Sequence, residues 1–271
     1  MRSYWLHESS WTRVVTQRVR RPNMMAARLV SRRRREQPIS VDGKLLLIAA
    51  NQLVDPRTNM VVPRRELLDR LIEALSVDGV DGVIGSADIL EELVVLNVLE
   101  DRLAICDHRS SRTGVGSDVI AESRFDAARF TTLGVETARL GAAVSKAHSV
   151  GLPVLIELIG QHGPDDTVYS SDWLDWVGPF DRITRSLSTG KGVWFLLPSV
   201  PDFASVVSSN GFPVLLRDTD IPIDPDAWRQ LFDQDLPLTV RGLVAGPSAL
   251  FPLAGSVEDA TKSLAQAIHN S

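Results

Sequence analysis

The chain has 271 residues, of which 44% are apolar, and a formal net charge of −5. This length can bury one large core or two small ones, and a single α/β barrel fits it well. The single cysteine, Cys106, excludes an internal disulfide and a cysteine-based zinc site, which favours a reducing compartment. Charged or turn residues interrupt every long apolar run, so the sequence predicts a soluble, cytoplasmic protein with no signal peptide and no membrane contact.

The first segment of the chain is strongly basic. Residues 1–36 contain ten arginines and two glutamates, a balance of +8, so the rest of the chain carries −13. Helical periodicity predicts two short helices, at 11–21 and 24–35, which together form an arm over residues 1–40. We expect this arm to dock on the acidic body through the apolar side chains of Met25, Leu29 and Val30. A nucleic-acid partner is disfavoured, because no aromatic stacking platform or known reader motif accompanies the arginines.

From Gly43 onward, short apolar runs alternate with segments of helical period, which is typical of βα units on a parallel sheet. Most of the runs are apolar without alternation, as expected for strands covered on both faces. Seven strands are predicted, at 45–50, 82–85, 102–106, 153–159, 192–197, 213–217 and 239–246.

The predicted helices lie at 64–75, after Ser86, and at 171–187, 201–208, 224–233 and 256–269. An eighth unit belongs between Cys106 and Pro153, but residues 124–151 show helical rather than strand character. The predicted fold is therefore a (β/α)8 TIM-type barrel over residues 41–271 that is degenerate around strand four.

Four stretches of the sequence resemble a known family. They are VDGVDGVIGSADILEELVVLNVLEDRLAI, GLPVLIEL, WFLLPSV and VRGLVAGPSALFPLAGSVEDA. They resemble the actinobacterial (β/α)8 proteins grouped with deoxyribose-phosphate aldolase and class I fructose-bisphosphate aldolase, which are often encoded near inositol-catabolism genes. The similarity runs over most of residues 24–268 and implies an aldolase-type barrel.

The family's reacting residues are replaced in this chain. The family typically ends strand one with Asp-His, where this chain has Asn51-Gln52. Its strand-six lysine, in a Trp-x-Lys-Leu-Pro pattern, corresponds to Leu196, and a second lysine near strand four corresponds best to Arg139. An imine needs a primary amine that can lose its proton, and neither leucine nor arginine supplies one.

The family's phosphate-binding residues are also replaced. A glycine pair that ends strand seven and cradles phosphate through backbone N–H groups corresponds to Arg217-Asp218. Gly246 of strand eight is kept, but the arginine after it is Pro247. The resemblance therefore implies a divergent member without the Schiff-base lysine and with side chains filling the phosphate cradle. Three positions of the family pattern are retained, namely Asp88, Arg109 and Glu157.

Polar residues at the predicted strand ends form the candidate site, because the carboxyl ends of barrel strands converge on one mouth. The candidate catalytic residues are Glu157, Asp107 and His108. The candidate substrate-binding residues are Asp88, Arg109, Asn51, Gln52, His162, Arg217 and Asp218. No metal site is predicted, because the histidines lack the spacing of known metal motifs.

Glu157 stands out because Ile156 and Leu158 flank it in a buried strand. A carboxylate at such a position must point into the barrel and find a partner, for which Arg109 and Arg217 are the candidates.

We interpret the chain as a divergent aldolase-fold protein that binds a small polyhydroxylated or carbonyl metabolite. It would act as a lyase or isomerase by acid-base chemistry, with no cofactor and no imine. Glu157 would transfer the proton, Arg109 or Arg217 would clamp an anion, and Asp88 and Asp107 would bind hydroxyls. The alternative is a catalytically inactive paralogue, a pseudoenzyme that serves as a binding or protein-partner module. The sequence leaves the substrate, the reaction and the existence of a homo-oligomer open.

Overall fold

The computed structural model describes the chain in nine stretches: residues 5–33, 42–51, 54–108, 124–132, 137–158, 174–187, 190–199, 203–208 and 211–270. Eight parallel strands close into a barrel in which each strand pairs with its neighbours along the chain and the last pairs with the first. The barrel strands are β1 (Leu45–Ala49), β4 (Gly82–Gly85), β5 (Leu103–His108), β6 (Ala127–Thr132), β7 (Val154–Leu158), β8 (Val193–Pro198), β9 (Val214–Arg217) and β10 (Val240–Ala245). The short strands β2 (Val54–Asp55) and β3 (Met60–Val61) form a separate antiparallel pair. The predicted α/β barrel is confirmed.

Helices precede the barrel and surround it. They are α1 (Glu8–Arg20), α2 (Pro22–Ser31), α3 (Arg64–Leu75), α4 (Ala87–Val95), α5 (Thr137–Ser149), α6 (Leu174–Ser186), α7 (Phe203–Ser208), α8 (Pro225–Phe232), α9 (Pro247–Leu250) and α10 (Val257–His269). In the described part of the chain, no helix is both long and apolar enough to cross a membrane.

The apolar side chains of the strands form two cores, because alternate residues of each strand face opposite sides of the barrel wall. Leu45 and Leu47 of β1 belong to a cluster inside the barrel, whereas Leu46 and Ile48 belong to the larger core shared with the helices. This division follows from the two-residue period of a strand, which sends successive side chains to opposite faces. Because both faces are covered, the strands are apolar runs without polar alternation.

The predicted defect at strand four is wrong. β6 pairs with β5 from Ala127 to Phe130 and with β7 from Ala128 to Thr132, so it is a regular barrel strand. Two alanines and a central arginine gave the segment a helical appearance, although its last three residues, Phe130 to Thr132, favour strands. The helical character that the sequence indicated belongs to α5, which begins at Thr137.

The N-terminal arm is docked, as predicted. Helix α2 packs on α4, and the side chains of Met25 and Leu29 are buried. The prediction for Val30 is wrong, because that side chain is 59% exposed. Polar contacts add to the docking: Arg18 forms an ion pair with the fully buried Glu92 of α4.

Gly242 brings β10 close to β1. Its φ is +132°, and a Cβ at this position would lie 1.9 Å from the carbonyl oxygen of Leu45. Only glycine tolerates this combination of conformation and contact. The register with β9 shifts nearby, between Val240 and Leu243. This close approach sets β10 against the start of β1, at the end of the barrel opposite the mouth.

Candidate active site

A cavity of about 180 Å³ lies at the mouth formed by the carboxyl ends of the strands. Active sites of this architecture form at that end of the barrel. The side chains and backbone that line it come from six barrel strands or the turns after them. The lining residues are Ala49, Asn51, Arg129, Glu157, Leu196, Arg217, Asp218, Thr219, Asp220, Val244, Gly246 and Pro247. We call this space the mouth cavity.

Glu157 of β7 points into the barrel, as the sequence predicted, and is only 1% exposed. Its Oε2 accepts hydrogen bonds from Nε of Arg129 at 3.0 Å and from Oγ1 of Thr131 at 3.2 Å. A second guanidinium nitrogen of Arg129 also donates to Oε2. The predicted partners were Arg109 and Arg217, but the cation found against Glu157 is Arg129. Arg109 lies outside the described residues.

Arg129 also holds a second carboxylate. Its guanidinium lies 3.4 Å from Oδ2 of Asp107, and the side chains of Asp107 and Arg129 are 4% and 8% exposed. The three residues sit on adjacent strands, with Asp107 of β5 opposite Arg129 of β6. We call Asp107, Arg129 and Glu157 the barrel ion cluster. Charges buried at this depth must be paired, so Arg129 is what allows the two carboxylates to remain inside the barrel.

Arg217 lies at the rim of the mouth cavity. It ends β9, its side chain is 17% exposed, and its guanidinium is 3.3 Å from the carboxylate of Asp220, which is 62% exposed. Because it also lines the mouth cavity, Arg217 is positioned to meet an anionic or carbonyl oxygen that enters there.

Asp218, the next residue, fills one wall of the mouth cavity. Its carboxylate accepts hydrogen bonds from the backbone N–H groups of Gly246 at 2.9 Å and Ser248 at 2.8 Å, and from the hydroxyl of Ser248 at 2.7 Å. The backbone N–H of Thr219 donates to it as well. The side chain is buried, and burial raises the pKa of Asp218 even though these hydrogen bonds act to lower it. The side chain of Asp218 therefore occupies the space in front of these N–H groups.

Leu196, which the sequence resemblance aligns with an imine lysine, brings an apolar side chain to the mouth. Leu196 of β8 is 1% exposed and lines the mouth cavity beside Glu157. Lys44 and Lys191 lie just before β1 and β8, at the opposite end of the barrel, and the other two lysines lie on outer helices. Among the described residues that line the mouth cavity there is no lysine.

The remaining predicted residues are divided between the mouth and other places. Asn51 lines the mouth cavity, whereas Asp88 is not among its lining residues and pairs with Arg64 of α3 at 2.7 Å. His108 is the last residue of β5, and its side chain is outside the described part. Gln52 and His162 also lie outside the described residues.

Arg139, proposed as the strand-four equivalent of a lysine, lies on α5. The cation in strand four is Arg129, which the sequence interpretation missed. The sequence feature that could have indicated it is a single charged residue between Ala128 and Phe130. Both of these residues pair with β5 on one side and β7 on the other.

Within the described residues, no group of three or more histidine, cysteine, aspartate and glutamate side chains is arranged to hold a metal ion. The polar side chains that line the described mouth carry carboxylates, guanidinium groups, one amide and the hydroxyl of Thr219.

Comparison with known proteins relates the whole chain to one family. The model of the Cgl0159-like family matches residues 43–143 and 124–265. Over its length the chain is similar to the crystal structure of Cgl0159 from Corynebacterium glutamicum, with 26% identity, 99% of each chain covered and a TM-score of 0.84. Comparison with curated proteins gives no significant match.

The fold is shared with aldolases at much lower identity. An archaeal fructose 1,6-bisphosphate aldolase is 12% identical, with 91% of this chain and 100% of that chain covered and a TM-score of 0.61. An archaeal fructose-1,6-bisphosphate aldolase with its catalytic lysine covalently bound to a carbinolamine intermediate is 14% identical, with 90% and 99% covered and a TM-score of 0.62. These two likenesses show an aldolase-like barrel and nothing further.

Proposed function

The chain belongs to the Cgl0159-like family, and we propose that it binds a small polyhydroxylated or carbonyl metabolite in the mouth cavity. We further propose that it processes this metabolite as a lyase or isomerase, by acid-base chemistry and without an imine. The observation that carries the proposal is a small cavity at the catalytic end of an aldolase-like barrel, lined by Asn51, Glu157, Arg217 and Asp220.

The size and lining of the cavity support this class of ligand. About 180 Å³ is below the roughly 300–1,000 Å³ of common ligand pockets, which favours a metabolite of few carbons. The lining combines carboxylates that accept hydrogen bonds from hydroxyls with an amide and a guanidinium that donate to carbonyl oxygens. An apolar ligand would leave these groups unpaired, so hydroxyl and carbonyl groups are the matching chemistry.

Glu157 is the group best placed to move a proton. A general base works at hydrogen-bond distance from the proton it removes, and Glu157 lines the cavity while its charge is balanced by Arg129. Removal of a hydroxyl proton, or of a proton next to a carbonyl, places negative charge on oxygen. Arg217 at the rim would stabilise that oxygen, as preorganised donors do in other enzymes.

Lysine placement supports a mechanism without an imine. An amine nucleophile has to reach the carbonyl carbon inside the mouth. Leu196 occupies the family's lysine position, and the four lysines of the chain lie elsewhere. Proton transfer by carboxylates is the remaining route among the described side chains of this cavity.

The alternative is a catalytically inactive paralogue that only binds a ligand or protein. The hydrogen bonds that Arg129 and Thr131 donate to Oε2 of Glu157 favour it, because this oxygen is already held in contacts within the protein. An enzyme would lose turnover when Glu157 is changed, whereas a binding protein would show no turnover at all.

A ligand screen tests the proposal. The protein is heated with small hydroxylated aldehydes, ketones and acids, and a ligand should raise the melting temperature of the wild type. Arg217→Met should abolish that increase. A matched control is Arg229→Met, because Arg229 also forms an exposed pair three residues away, with Asp226, but lies on α8. Equal responses in the two variants, or no response from any compound, would contradict the proposal.

A further inference from the structure

The hydrogen-bond donors at the end of β10 converge on one carboxylate. The N–H groups of Gly246 and Ser248 and the hydroxyl of Ser248 all donate to Asp218, whose side chain is 4% exposed. A fourth donor is the N–H of Thr219. The donors come from β9 and from the turn after β10, so the carboxylate joins two neighbouring strand ends across the mouth.

Backbone N–H groups at this place in a barrel commonly bind the phosphate of a ligand. An N–H group has a single hydrogen to donate, and here that hydrogen is directed at a carboxylate of the protein itself. A phosphate brought to the same place would have to displace Asp218 or lie beside it. Two anions in contact repel strongly where water is excluded, so either arrangement is unfavourable.

We infer that Asp218 is a specificity-determining residue that closes this part of the mouth cavity to phosphorylated ligands. The ligand class is then an unphosphorylated hydroxylated carbonyl compound or its carboxylic acid. The ligand class in this inference rests on the proposed function. The exclusion of phosphate rests only on the hydrogen bonds of Asp218.

Neighbouring charges do not reverse the exclusion. The guanidinium of Arg217 lies 3.3 Å from the carboxylate of Asp220, which offsets part of its charge. Arg129 is committed to Glu157 and Asp107. A carboxylate or carbonyl oxygen can still reach Arg217 from the rim, because that route does not require the donors that Asp218 occupies.

Calorimetry with two kinds of probe tests the inference. Inorganic phosphate tests the donors directly, and the pair dihydroxyacetone and dihydroxyacetone phosphate tests the ligand class. The wild type should show no saturable binding of inorganic phosphate and should bind the phosphorylated ketone at least about tenfold more weakly than the free ketone. Asp218→Gly, which frees the donors and removes the charge, should bind inorganic phosphate and lose the preference for the free ketone.

Two further variants keep the test decisive. Asp218→Asn retains the volume and one acceptor oxygen, so it replaces Asp218→Gly if that variant does not fold, and it too should bind phosphate more tightly than the wild type. Asp226→Asn, which changes an exposed carboxylate of α8 that does not line the mouth cavity, should leave the phosphate response at the wild-type level.

The outcomes separate this inference from the proposed function. Phosphate binding by the wild type, or a preference for the free ketone that stays unchanged when Asp218 is replaced, would overturn the inference. If neither ketone bound any variant, the proposed function would lose its support from this ligand pair. The gain or absence of inorganic phosphate binding in Asp218→Gly would still decide the role of Asp218.

Discussion

Replacing Glu157 by glutamine tests the barrel ion cluster. The substitution keeps the volume and removes the charge opposite Arg129, and the two side chains are 2% and 8% exposed. Breaking a fully buried ion pair on one side costs about 3–5 kcal/mol. The glutamine oxygen can still accept from Arg129, and Asp107 stays 3.4 Å away. We therefore expect Glu157→Gln to lower the free energy of unfolding by about 2–3 kcal/mol.

Urea denaturation followed by tryptophan fluorescence measures this loss. Arg129→Met should cost more, about 3–5 kcal/mol, because it removes the cation from both Glu157 and Asp107. The matched control is Asp220→Asn at the exposed rim of the same cavity, which should change stability by less than about 0.5 kcal/mol. If Glu157→Gln behaved like Asp220→Asn, Glu157 would face solvent and the inward register of β7 would be wrong.

The same variant separates the two candidate functions. If the protein is an enzyme, Glu157→Gln should lose turnover and most of the ligand-induced rise in melting temperature. If it lost stability but kept the full ligand response, Glu157 would serve only to balance Arg129, and the inactive paralogue would be favoured.

Three further predictions follow from other parts of the molecule. Leu29→Ala should cost about 2–5 kcal/mol because this side chain of the arm is fully buried where the arm packs on the body, whereas the exposed control Val30→Ala should change the urea midpoint little. Hydrogen bonds with Asp81 and Asp42 raise the pKa of His269 from 6.5 to about 9, so its stabilising contribution is complete below pH 6.5 and is lost as the pH rises through 9. His269→Gln should flatten the dependence of the urea midpoint on pH over that interval; an unchanged dependence would contradict this. Borohydride reduction with the stabilising aldehyde or ketone should leave the intact mass unchanged, and a stable adduct on any lysine would refute the mechanism without an imine.

Most of the fold was predicted from the pattern of apolar residues along the chain. A strand covered on both faces is an apolar run, and seven such runs were found within two residues of their observed ends. β6 was missed because its inward face carries Arg129, whose charge is tolerated only through partners on β5 and β7. Those partners are distant in sequence, so local pattern could not reveal the strand.

The candidate site was predictable only in part. The inward position of Glu157 followed from its apolar neighbours, and the filling of the mouth by Asp218 followed from the loss of a glycine pair. The donors that hold Asp218 are backbone N–H groups of Gly246 and Ser248. Because every residue except proline has such a group, the sequence does not reveal which ones donate. Asp88 was assigned to the site because it matches a position of the family pattern, but it lies in the first turn of α4 and its carboxylate pairs with Arg64.

A crystal structure with the stabilising ligand bound tests the central claim most directly. We predict electron density for the ligand in the mouth cavity, with an oxygen within hydrogen-bond distance of Arg217 and a hydroxyl or reacting carbon next to Glu157. No bond to a lysine should be present, and Asp218 should keep its hydrogen bonds to Gly246 and Ser248. Density at another place, or a ligand joined to a lysine, would contradict the account.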